Sequence, residues 1–276
     1  MAPLQLQQAP DASGGGRARP ASRPLRPSPA SHPRRPGAKR LRLRAGVVAL
    51  AVAAMGALAG AAPGAVALSR GAPAAVPATL PAIQAAAASA ITLRDSALTA
   101  AVAAVNANTS LGDADRTNIL ATLNGALTNV NAVGAAVQAD TAVPNASADY
   151  TAIFLNFRVF ALVIPQARLA AAAYDLTDTV LPSLQDAQSR LSSLLSGPEQ
   201  AKSSAAVQTA MADLAKQLAA ISSATNGLAA QVLSYKAGDW NGDSTILASA
   251  RASLISARTS AAQAAADVNT VVGALQ

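Results

Sequence analysis

From Val207 onward, apolar residues recur at alternating steps of four and three: Val207, Met211, Leu214, Leu218, Ile221, Thr225, Leu228, Val232, Tyr235. That rhythm keeps one row of side chains on one side of an α-helix, the seam of packed helices. A matching row closes the chain: Leu247, Ala250, Leu254, Ala257, Ala261, Ala264, Val268, Val271, Leu275. A third runs Leu169, Ala173, Leu176, Val180, Leu184, Ala187, Leu191, Leu194, and a weaker one uses Leu120, Leu123, Leu127, Val130 and Val137. A first helix over roughly Pro81 to Asn108 is marked by Ile83, Ala87, Ile91, Leu98, Val102 and Val105. The pattern predicts an all-α fold, an elongated antiparallel helical bundle of about five or six long, heptad-patterned helices. At ~1.5 Å per residue the longest segments span roughly 40–55 Å.

Punctuation between these rows fits helix ends. Ser110-Leu-Gly-Asp offers a turn, with Asp113 or Ser110 as N-cap. Pro144-Asn145 with Ser147 marks a corner, Gly197-Pro198 a C′ glycine followed by a breaker, and Gly238 another helix end. In "DYTAIFLNFRVFALVIPQARLAAAAYDL", Ile164 precedes Pro165, a position that disfavours α geometry. Either a helix kinks here or an extended link joins two helices; the break is the expectation, with a new helix starting at Pro165. Pro182 lies off the apolar positions of its seam and predicts a kink. Many seam positions are Ala, which allows close approach but buries little apolar surface, at ~25 cal/mol per Å². Helix propensity offsets this thin core.

Charge divides the chain. Residues 1–44 hold ten basic groups and one acid, whereas the other 232 residues hold 11 basic and 13 acidic groups. The basic pI of about 10.5 therefore reflects the head and gives no reason to expect a nucleic-acid partner. "KRLRLR" followed by "AGVVALAVAAMGALAGAAPGAVA" has the basic, apolar and small-residue regions of a Sec-type secretory signal. Ala65-Val66-Ala67 fits the cleavage pattern after Ala67, and Ala59-Gly60-Ala61 offers a second site. The alternative is an N-terminal membrane anchor, since Ala45 to Ser69 is long enough to span a bilayer. The expected layout is a head and signal over residues 1–67, a Pro/Ala linker over 68–80 and one helical domain over 81–276. The protein would then be secreted or envelope-associated, touching membrane only transiently. "NTVVGALQ" reads as a helix end rather than a sorting signal, so retention at a wall would be non-covalent.

Composition removes much chemistry. Cysteine is absent and the one histidine, His32, lies in the head. A mature chain from Leu68 has no His-based acid–base pair, no thiol nucleophile and no ordinary zinc or copper site. No phosphate loop, dinucleotide-binding glycine fingerprint or G-x-S-x-G occurs. No cofactor is expected.

Three features remain as candidates. "AGDWNGDSTIL" places Asp239, Asn241 and Asp243 at the first, third and fifth positions of a calcium loop. The closing acid is missing, because the twelfth position is Ala250, a seam residue. A corner is the favoured reading and weak calcium binding the alternative. Phe154, Phe157 and Phe160 follow i, i+3, i+6 spacing along one helical face, as a core stripe or the lining of a hydrophobic-ligand site. Arg158 and Arg168 flank them, to meet an anionic headgroup or to pair with Asp149, Asp175 or Asp178. The pairs Asp113/Asp115 and Asp175/Asp178 suit helix N-termini or exposed faces, and Glu199/Lys202 and Asp213/Lys216 suit helix surfaces.

Phe157-Arg158-Val159-Phe160 through Pro165-Gln166, together with Asp239-Trp240-Asn241, resembles a recurring arrangement. It is similar to uncharacterised secreted, Ala-rich helical proteins of high-GC Gram-positive bacteria. In these an aromatic "YRVYxLVxPQ"-like motif precedes a long helix and a "DWN"-like corner opens the last one. Phe stands here in place of both tyrosines, so a role needing their hydroxyls would be lost. The resemblance implies secretion and a helical bundle, and no activity. The expected role is non-enzymatic, structural or adhesive, through protein or cell-wall glycan contacts, with homo-oligomers open because the seams also suit intermolecular pairing. The alternative is a carrier of a hydrophobic ligand near Phe154, Phe157 and Phe160.

Overall fold

The computed structural model describes residues 75–276. The basic head, the apolar segment, the Ala67 cleavage site and most of the expected linker lie outside the described residues. The described chain is all-α, without a strand. Three helices come first: α1 (Leu80–Ala107), α2 (Asp113–Ala139) and α3 (Val143–Leu155). Then follow α4 (Ile164–Tyr174), α5 (Leu181–Leu195), α6 (Ala205–Thr225), α7 (Leu228–Ser234), α8 (Ala237–Gly242) and α9 (Ala248–Leu275).

The helix starts use proline as expected: Pro81 and Pro144 stand in the first turns of α1 and α3, where a missing N–H costs nothing. The α2 cap differs from expectation. Gly112 is the N-cap, and Asp113 and Asp115 sit inside the first turn, where they face the partial positive charge of the free N–H groups. Ser204 caps α6, its hydroxyl accepting from Val207 N at 3.3 Å.

The break near Pro165 falls elsewhere. Helix α3 ends at Leu155, and Arg158 adopts a left-handed conformation (φ 44°). A wide helical turn over Val159–Val163 then leads into α4, so no extended link exists and Pro165 is second in that helix. Ile164 N donates to Val159 O, five residues back. Widening the turn accommodates the proline ring, which in a regular helix would press on the carbonyl four residues earlier. The same device recurs at Pro182: a wide turn spans Asp175–Val180, and Leu181 N donates to Leu176 O. Two further expectations shift. The row from Val207 to Tyr235 is interrupted at Asn226-Gly227, where Gly227 (φ 67°) starts α7. Gly238 lies inside α8 rather than ending a helix.

Packing follows the seams. In the last helix Ala250, Leu254, Ala257, Ala261, Ala264, Val268 and Val271 are buried, and α9 lies along α6. The Lys202 ammonium, just before α6, donates to Leu275 O at the end of α9, so the two run in opposite directions. Helices α1 and α2 are likewise opposed, since Gln84 donates to Val137, Gln138 and Asp140 carbonyls and Gln138 donates back to Gln84 O at 2.8 Å. In α2 the buried row is led by Ile119, then Leu123, Val130 and Val137, with Leu120 only half-buried. A main core joins α1 and α2 to α4–α7 and α9, while a smaller one gathers Ile83, Ala87, Ala90, Val137, Ala146, Tyr150 and Ile153. By length and composition alone, residues 80–107 and 143–195 would suffice to cross a bilayer, but both also bury side chains against neighbouring helices.

Candidate functional site

The two motifs singled out in the sequence meet. The left-handed Arg158 turns the chain out of α3 and aims its guanidinium at α8. Its Nε donates to Asn241 Oδ1 at 2.6 Å, and Asn241 Nδ2 donates to Leu155 O at 3.0 Å, a carbonyl in the last turn of α3. Asn241 thus closes a helix end and accepts a charge-assisted bond at once. In the first turn of α4, Gln166 is only 1% exposed, and its Nε2 donates to Val232 O and Tyr235 O, both at 2.8 Å. These carbonyls finish α7, which otherwise leaves its last acceptors unmet. Trp240 packs, partly buried, on the main core. The segment 155–166 and the corner 232–241 therefore form one polar clasp (83 residues separate Arg158 from Asn241).

The calcium alternative would need Asp239, Asn241 and Asp243 to converge on one point. Instead each is engaged separately. Asp239 Oδ2 accepts from Lys236 N at 2.7 Å and starts α8, while Asn241 belongs to the clasp. Asp243 Oδ1 accepts from Thr245 N at 2.8 Å and Thr245 Oγ1 at 2.6 Å, which holds its carboxyl below the usual carboxylate range. Among the described residues no three His, Cys, Asp or Glu side chains gather at metal-binding spacing.

The phenylalanine stripe does not survive as one face, because the chain turns between Leu155 and Val159. Phe154 packs on the smaller core and forms an edge-on pair with Tyr150 (centroids 5.1 Å). Phe157 packs on the main core, and Phe160 is 37% exposed. Of the two flanking arginines, Arg158 joins the clasp, whereas Arg168 stands exposed on α4, without an ion pair among the described residues.

A third arginine replaces them. Arg94 on α1 is buried and lies over the Phe154 ring at 4.5 Å and the Phe160 ring at 5.7 Å. Sequence reasoning missed it, although a signal exists: Ile83, Ala87, Ala90, Arg94, Leu98, Ala101 and Val105 step by four and three, with one charge in an apolar row.

The acids spread over several places. Asp175 is buried in the second wide turn, not at a helix N-terminus, and its Oδ1 has no hydrogen-bond partner. Asp178 is held above the ordinary carboxylate range by desolvation where that turn meets α2, with the Asp115 carboxyl adding a hydrogen bond and its charge. Asp267 is raised by desolvation, with Asp213 adding like charge. The Glu199–Lys202 pair forms at 3.5 Å, in a short 3₁₀ turn at Gln200–Lys202 rather than on an α-helix.

Neither a protein-family model, nor a curated protein, nor a solved structure matches the chain at a significant level.

Proposed function

We propose that the chain is an exported, non-enzymatic protein whose helices form an elongated antiparallel bundle of about five or six long, heptad-patterned members. Its role is structural or adhesive, at the cell envelope or outside the cell, through protein or cell-wall glycan contacts and with self-association open to it. The observation that carries this reading is how the clasp uses its polar side chains. Arg158, Gln166, Asp239, Asn241 and Asp243 direct hydrogen bonds to helix ends and corners, the work of a scaffold. Along the outer faces of α1 and α9 stand Ser89, Thr92, Thr259, Gln263, Asn269 and Thr270, polar and largely uncharged. Such surfaces suit hydrogen bonding to glycan or protein better than binding to nucleic acid.

The resemblance of the two motifs to those of secreted Ala-rich proteins agrees with the same reading. A second reading, a carrier of a hydrophobic ligand, is favoured by Phe160, which remains exposed where its ring meets Arg94.

Fractionation of cells and medium, with sequencing of the mature N-terminus and co-sedimentation with purified walls, tests the proposal. Recovery outside the cytoplasm with a start at Leu68, and retention on walls or a protein partner, is the expected result. A chain beginning upstream of Ala45 in membranes contradicts cleavage, and a turnover lost on Asp→Asn replacement contradicts the non-enzymatic role.

A further inference from the structure

Residues 196–204 join α5 to α6 and separate the end of one from the start of the other. Gly197 N and Glu199 N both donate to Leu194 O, at 3.2 and 3.0 Å, and the 3₁₀ turn at Gln200–Lys202 leads to the Ser204 cap. Between the two helices lies a groove of about 340 Å³, lined by Ser192, Leu195, Ser196, Gln208 and Met211. That volume falls at the lower end of the range of small-molecule sites. Leu195 and Met211 form its floor, since they pack on the main core yet stay only partly covered. Ser192, Ser196 and Gln208 are exposed, so the groove opens to solvent.

The polar rim has bonding capacity left over. Ser192 Oγ makes no hydrogen bond among the described residues. The Ser196 hydroxyl donates to Ser192 O at 2.9 Å, which leaves its oxygen able to accept. Gln208 Nε2 reaches Ser203 O and Oγ only at 3.3 and 3.4 Å, and its Oε1 accepts from none of the described groups. None of the five lining side chains is charged, so an ion would meet no counter-charge there. An extended peptide finds no open backbone edge, because Ser192 O and Leu194 O already accept from Ser196 N and Gly197 N. An amphipathic helix needs a row of anchors, and this floor has only two apolar residues. A sugar ring meets both conditions. Its C–H face can lie on Leu195 and the adaptable Met211 thioether, while its hydroxyls both donate to and accept from the rim. We propose that this groove binds a short uncharged saccharide, an inference that rests on the glycan-contact reading and locates such contacts between α5 and α6.

The chain has three methionines, and Met211 is the one beyond Ala67, so its isotope-labelled methyl group reports on the groove by NMR. The resonance is assigned by its loss in Met211→Leu. The full chain is titrated with maltotriose and with the N-acetylglucosamine trimer. Glucuronate serves as the charged control and a neutral tripeptide as the peptide control, and retention on purified walls is measured alongside. At least one neutral saccharide is expected to shift the methyl resonance saturably. Ser192→Ala and Gln208→Ala, both at exposed positions, should each weaken that binding about two- to tenfold, with circular dichroism unchanged. Saccharide binding that is unchanged in both variants overturns the groove as the site and leaves the glycan reading standing. Wall retention while no saccharide moves the methyl does the same. Glucuronate or the tripeptide moving it as strongly as the neutral sugars also overturns the proposal. A saccharide shift that the variants weaken, without retention on walls, supports the groove and counts against the wall reading.

Discussion

Single side chains carry the clasp, and Gln166 carries the most. It is buried and supplies both donors to the end of α7. Gln166→Leu keeps volume but strips a buried carbonyl and a partly buried one of their partner, and should cost about 2 kcal/mol in denaturant unfolding. An unchanged midpoint would show that water replaces the amide without loss. At Gly227 the backbone has φ 67°, where a Cβ meets no neighbour yet collides with its own chain. Gly227→Ala should therefore destabilise by about 1–2 kcal/mol, through backbone strain alone. At this scale the sequence was informative where a residue had one dominant reason to be present. Ala250 opposed a calcium loop and indeed lies buried in the α9 seam. Arg94 stood out only as one charge in an apolar row, and its environment was not readable, because it is set by Phe154 and Phe160, some 60 residues downstream.

Helices were the most legible level. The α9 row was readable because a step of four and three has few other outcomes once both neighbours bury the same face. Boundaries were harder. Pro165 and Pro182 look alike in sequence to any helix-breaking proline, yet both are absorbed by a wide turn, which tertiary packing sustains and local propensity does not reveal. The α1–α2 contact also depended on a residue with no hydrophobic signal. A Cβ at Gly134 would come within 2.9 Å of Ile91 Cγ1, whereas one at Gly125, on the same helix, meets nothing. Gly125→Ala should raise stability by about 0.5–1 kcal/mol through helix propensity. Gly134→Ala should lose that gain or reverse it, because Ile91 must move in a packed seam. Thermal melts of the two variants compare them directly, and an equal gain would mean that α1 and α2 are not so closely apposed.

Across the whole molecule, acids distribute the pH response. Asp178 and Asp267 have folded-state pKa values raised above their ordinary value near 3.8, so the folded chain holds protons that the unfolded chain has released. The sign follows: their contribution is fully favourable below about pH 3.8 and is lost as pH rises through the raised values. Asp178→Asn should therefore melt higher than the parent at pH 7, with the difference vanishing toward pH 3. A difference constant across that range would remove the titration as its cause. Sequence could not reveal this pairing, since Asp115 and Asp178 meet only after α2 and the second wide turn have been brought together.

The proposed role depends most on whether the Phe157–Gln166 segment and the Asp239–Asn241 corner form one architectural unit. A double-mutant cycle on Arg158 and Asn241, read by chemical unfolding, tests that directly. Removing either partner of the 2.6 Å bond should destabilise, and removing both should cost less than the two separate losses combined, leaving a coupling of about 1 kcal/mol. Strictly additive losses would contradict the clasp.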